Sequence, residues 1–231
     1  MKTRNLLSVL ALTLTSMMLS SCLDNDGDDW SKHYANAIVT VKPDAESHNF
    51  IIWVSEDFVG RATNMPKNPY GDKEVRALAN IELEKEVKGG LKDIHVNWMD
   101  SIRTKSTVDV GELENLELKS DPVEVIDDFT TVAEDGYLTL RLRTIFGYRG
   151  ARHNVNLFTN MDGENPYTMT LIHDAQGDLS GEYADSHIAF RLKDIDRKAQ
   201  AEGKDEVEIT LKWKSFYGNK EAKFNYKVRK D

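Results

Sequence analysis

The chain has 231 residues, a formal net charge of -9 from 30 basic against 39 acidic side chains, and a single cysteine. This balance provides no basic footprint for nucleic acid, and an acidic surface is not drawn to anionic lipid headgroups. One cysteine excludes an intrachain disulfide, so apolar burial must hold the core, in one large domain or two of about 100 residues.

Lys2 and Arg4 form a positive head, and Leu6 to Leu19 follow without a charge. That run is shorter than the roughly 20 apolar residues a membrane-spanning helix requires, and fits the core of a cleavable signal. The next residues, Leu19-Ser20-Ser21-Cys22, resemble a bacterial lipobox. The resemblance implies that residues 1–21 are a lipoprotein signal peptide and that Cys22 carries the lipid anchor that attaches the protein to a membrane. Each buried methylene adds about 0.8 kcal/mol, so two or more acyl chains hold firmly. The alternative is an ordinary secreted chain with a free thiol, which would lack both a disulfide partner and a catalytic neighbour. Residues 22–33 contain Asp24, Asp26, Asp28 and Asp29 and form an acidic tether that buries nothing. A calcium loop fails on spacing, because the glycine and glutamate positions of such a loop hold Asp29 and Ala35.

From Tyr34 onward, apolar residues recur at spacing two, the pattern of half-buried strands. Ala37 to Val41, Asn49 to Val54, Val75 to Leu83, Ile94 to Trp98 and Val108 to Leu118 give five expected strands, with Gly60 to Asp72 as a loop and Gly89-Gly90 as a turn. Five short strands over residues 34–119 suit a small barrel. Pro122, within Leu118 to Val125, marks a boundary near Ser120. Beyond it, Phe129 to Leu142 is a hairpin turning at Asp135-Gly136. Strands at His153 to Phe158, Tyr167 to Ile172, Ser186 to Leu192, Val207 to Trp213 and Phe224 to Val228 follow, with a turn at Gly218-Asn219. Asp194 to Gly203 is the one helical segment, with an aspartate to cap its start and a glycine to close its end. Residues 120–231 therefore read as an antiparallel β-sandwich, and the chain as all-β.

The lipobox with its acidic tail, SDPVEVID at the junction, DGYLTLRL, HNVNLF and EGKDEVEITLKWK together resemble the NigD-like lipoproteins of Bacteroidota. The likeness covers essentially the whole mature chain and is strongest in the second domain. It implies an OB-like first barrel and a β-sandwich second domain. It also implies an immunity-like association and no catalytic motif, and the one functional residue it carries over is Cys22. Acids directly after the lipidated cysteine also resemble the surface-export signal of such lipoproteins. That implies an outer-membrane lipoprotein displayed on the cell surface, or otherwise held on the periplasmic face.

No HExxH, Walker loop, GxSxG or SxxK occurs. The histidines, His33, His48, His95, His153, His173 and His187, contain no pair at local metal-ligand spacing. His95 and His153 are expected to be structural or exposed strand residues, although distant strands can still assemble a site. Asp127-Asp128 and Glu134-Asp135 read as solvated turn residues. Trp53, Trp98, Trp213, Phe50 and Tyr226 fall in apolar strand runs, where core packing outweighs a stacking platform for sugars, whereas Tyr70 and Tyr148 are expected to be exposed. The resulting expectation is a non-enzymatic envelope lipoprotein without metal or cofactor, binding a protein partner in an immunity-like or surface-assembly role. A surface accessory protein that binds glycans or peptides is the alternative.

Overall fold

The computed structural model describes residues 32–44, 49–86, 90–112, 118–148, 150–161, 163 and 165–230. The expected signal peptide 1–21, Cys22 and nearly all of the expected tether 22–33 lie outside them, as does Gly89 of the expected turn.

Five strands close into a barrel: β1 (His33–Asp44), β2 (Asn49–Ser55), β3 (Phe58–Ala62), β4 (Val75–Glu86) and β5 (Leu91–Ser101), in the order β1-β2-β3-β5-β4. All neighbours are antiparallel except β3 and β5. The inward set includes Val39, Val41, Ile52, Ala77, Ala79, Ile81 and Ile94, all fully buried. The small side chains of Ala77 and Ala79 on β4 suit the tight interior of a five-stranded barrel, which side chains fill.

β3 is not among the expected strands, and its last three residues fall at the start of the expected 60–72 loop. Its inward residues are Phe58, Gly60 and Ala62, so the alternation that betrays a strand is blanked by a glycine. A Cβ at Gly60 would lie 2.6 Å from Ile94 Cδ1, which is why no side chain stands there. The expected fifth strand, Val108 to Leu118, is not in the barrel. Within it β7 (Val108–Asp109) pairs with the sandwich, a 3-10 turn covers Val110–Glu112, and residues 113–117 lie outside the described ones.

Sheet pairing changes at Ile102 and not near Ser120. β6 (Arg103–Ser106) and β7 straddle the sandwich edge, β6 joining one sheet and β7 the other. With β8 (Glu124–Ile126), β9 (Val132–Glu134), β10 (Tyr137–Phe146), β11 (Asn154–Thr159), β12 (Thr168–Asp174), β13 (Glu182–Arg191), β14 (Glu206–Ser215) and β15 (Gly218–Lys227) the two sheets run β6-β13-β10-β8 and β15-β14-β12-β11-β7, β9 also pairing with β10. The sandwich is mixed, with β6–β13, β7–β11 and β12–β14 parallel.

Asp135 and Gly136 turn the β9–β10 hairpin with φ of 47° and 82°, the positive angles of a two-residue turn. The last hairpin turns at Phe216-Tyr217, two residues before the expected Gly218-Asn219, and Gly218 resumes the ladder opposite Ser215 with φ 107°. Helix α1 (Lys193–Ala201) begins after Leu192 with no side-chain cap, so Asp194 sits in the first turn and does not cap. Its end closes as expected: Gly203 has φ 67°, and the amides of Gly203 and Lys204 donate to Gln200 O and Ala199 O.

Barrel and sandwich share a small core of Ile38, Ile102, Tyr137 and Ala189. Beside it the fully buried Arg76 donates to Thr139 Oγ1 at 3.1 Å, Thr40 Oγ1 at 2.8 Å and Glu134 Oε1 at 2.5 Å. Lys42 meets Asp135 at 2.6 Å, and Arg229 grips Glu74 with both terminal nitrogens at 2.7 Å. Glu134 and Asp135, expected as solvated turn residues, are therefore the acidic half of an interdomain latch.

Candidate functional site

The β11–β12 register sets Val155 against His173, which brings His153, just before β11, diagonally beside His173. His153 Nδ1 lies 2.8 Å from His173 Nε2, and His173 Nδ1 lies 3.0 Å from Pro122 O. A carbonyl only accepts, so His173 carries its proton on Nδ1 and accepts at Nε2 from His153. On the far side His153 Nε2 lies 3.2 Å from Asp178 Oδ2, another acceptor. The Gly147 amide donates to the same carboxylate at 3.0 and 3.1 Å, and Phe146 stacks on the His153 ring at 4.4 Å between centroids.

Burial, reinforced by His153, lowers the His173 pKa from its ordinary 6.5, and burial does the same at His187, which meets Thr130 Oγ1. The Gly147 amide holds the Asp178 pKa below its ordinary 3.8. Unfolded histidine takes up a proton near pH 6.5 while folded His173 stays neutral, so its stabilising contribution is full above pH 6.5 and is lost as the pH falls toward the folded value. The urea midpoint is therefore expected to drop as pH falls from 7 through 5, and more shallowly in His173→Gln; an identical slope in the variant would contradict this assignment. The Asp178 contribution persists until the pH falls below about 4.

A cleft of about 590 Å³ opens between the sheets beside this network. Leu142, Val155 and Ile188 form apolar walls, and Arg103, Lys105 and Arg152 bring positive charge. Lys105 is committed, its ammonium donating to Val155 O at 2.7 Å and to Asn156 Oδ1. Arg103 and Arg152 are exposed and meet no carboxylate among the described residues. At the same end, where β13 begins and β14 turns into β15, Tyr183 packs edge-on against Phe216 at 5.5 Å, while Tyr217 stands 87% exposed and Leu179 57%.

The other expected residues are dispersed. Phe50, Trp213 and Tyr226 are buried, Trp53 lies beneath Lys42 in a groove between barrel and sandwich, and Trp98 is exposed alone on β5, so no aromatic platform forms. His95 is exposed beside Asn64 and Glu84, and His33 meets Glu82. Tyr148 is exposed as expected, but Tyr70 packs on the barrel core and donates its hydroxyl to Met99 O. Cys22 and His48 lie outside the described residues. No group of three or more side chains able to hold a metal ion occurs among the described residues.

Residues 105–226 match the family described as the NigD-like C-terminal beta sandwich domain. A crystal structure of a protein described as toxin related, from Parabacteroides distasonis, superposes with a TM-score of 0.67 at 24% identity, covering 85% of this chain and 94% of that one. A NigD-like immunity protein from Bacteroides caccae gives 0.58 at 21%, covering 83% and 96%, and a protein described as a lipoprotein, from Bacteroides fragilis, gives 0.60 at 14%, covering 86% and 99%. At these identities the structures speak to the fold alone. No curated protein matches the chain. With more than half of its length matched by the sandwich domain, the chain belongs to the NigD-like family.

Proposed function

We propose that this protein is a non-enzymatic, lipid-anchored envelope protein, held at the outer membrane through Cys22 and displayed on the cell surface. There it docks a protein partner with the Tyr183–Tyr217 end of its sandwich, in an immunity-like or surface-assembly role. The observation that carries the docking reading is the aromatic cluster itself. Tyrosine is enriched among the residues that dominate protein interfaces, and Tyr183, Tyr217 and Leu179 leave large apolar side chains open to solvent at one end of the sandwich. The latch that ties barrel to sandwich supports it, because a rigid base lowers the entropy lost on docking. The dispersed tryptophans leave a glycan-stacking role without a platform.

The test is photo-crosslinking in intact cells, with a photoreactive residue at Tyr217 or Tyr183 and a control at Trp98 on the barrel. One discrete adduct from the two sandwich sites, absent at Trp98 and lost in Cys22→Ser, is expected. Equal crosslinking from all three sites would remove the docking reading, and survival of the protein under protease shaving of intact cells would remove surface display.

A further inference from the structure

We propose that the cleft bounded by Arg103 and Arg152 binds a carboxylate carried on an apolar group, such as the C-terminal residue of a peptide or a free aromatic acid. The inference deepens the docking reading and rests on it only where the carboxylate belongs to a partner protein.

Three observations carry it. The cleft, at about 590 Å³, lies within the range of roughly 300–1,000 Å³ typical of ligand sites, and its lining joins apolar side chains with a somewhat larger share of polar and basic ones. Two of its three cations are unspent among the described residues, in a chain with a surplus of acids. Arg61, Arg76, Arg141, Arg143 and Arg229 each hold a carboxylate, yet Arg103 and Arg152 hold none among the described residues. Planar guanidinium groups match a carboxylate through paired N–H donors. Asp178 stands 3.2 Å behind the cleft-lining His153, and its carboxylate repels a dianion such as phosphate more than a singly charged group. The Leu142, Val155 and Ile188 walls favour an apolar body behind that group.

The experiment is calorimetric titration of the full lipidated chain in detergent with four probes: Ala-Gly-Ala-Phe, its C-terminal amide, 3-phenylpropanoate and inorganic phosphate. Saturable one-to-one binding of a carboxylate is expected, weakened about tenfold or more both by the amide and by the Arg103→Gln/Arg152→Gln pair, which breaks no ion pair of the fold. Tighter binding of the peptide than of phenylpropanoate assigns the carboxylate to a protein partner, and the reverse assigns it to a free acid. No saturation up to about 10 mM, equal binding of the amide, indifference to the arginine pair, or phosphate binding as tightly as the carboxylates would each overturn the proposal. The two readings fail separately: a discrete crosslink from Tyr217 and Tyr183 with no carboxylate bound removes the cleft proposal alone, and saturable carboxylate binding with no discrete crosslink from those sites removes the docking reading alone.

Discussion

Arg76→Ala is expected to cost about 3–5 kcal/mol, the loss seen when one partner of a buried ion pair is removed. The guanidinium is fully buried and makes three hydrogen bonds, so its removal strands Glu134, Thr139 and Thr40 at the interface. Burial already raises the Glu134 carboxyl, and without Arg76 that penalty is uncompensated. Because the Glu134 side chain is 26% exposed, water will screen part of the loss and the value should lie toward the lower end. At roughly 2–4 °C per kcal/mol for a chain of this size, the melting temperature should fall by roughly 6–20 °C. Arg76→Met with Glu134→Gln removes both charges and should recover most of the loss. Urea denaturation checks both variants, and a loss under about 1 kcal/mol in Arg76→Ala would mean that the shared core of Ile38, Ile102, Tyr137 and Ala189 holds the domains without the latch.

Gly181→Ala is the second large effect, expected to cost roughly 2–6 kcal/mol from backbone strain and overlap together. Gly181 has φ +144°, and a Cβ there would lie 2.1 Å from Phe146 O and 2.5 Å from Gly147 Cα. The backbone must then move away from Gly147, whose amide holds Asp178. Loss of that bond loosens His153 in turn, so the Gly147 amide resonance and both imidazole resonances of the network should shift in nuclear magnetic resonance spectra. Gly177→Ala is the control: φ is +87° but the space around it is open, so only about 1–2 kcal/mol of left-handed strain is expected. Equal losses at the two positions would show that strain alone, and not the close approach of Gly181 to the Phe146-Gly147 segment, makes Gly181 necessary.

What was legible in the sequence was whatever the chain encodes locally. Alternation marked most of the strands because each buries one face, Asp135-Gly136 marked its turn because two successive residues need positive φ, and Gly203 marked the end of α1 for the same reason. The concerted motifs of the second half were enough to identify the family. β3 escaped because its central inward position is Gly60, and the strap of β6 and β7 escaped because only sheet pairing distinguishes a barrel strand from a sandwich strand. The candidate site was the least legible part. His153 and His173 are twenty residues apart in the chain and meet through the β11–β12 register, with Asp178 delivered by the following loop. Glu134 and Asp135 looked like turn residues and became a latch because Arg76 and Lys42 approach from another domain. The sequence by itself determined the elements, their periodicity and the family, because these depend on neighbours along the chain. Which charges are paired and which meet no partner among the described residues was decided only by the tertiary structure, because a charge is neutralised by whatever is near it in space.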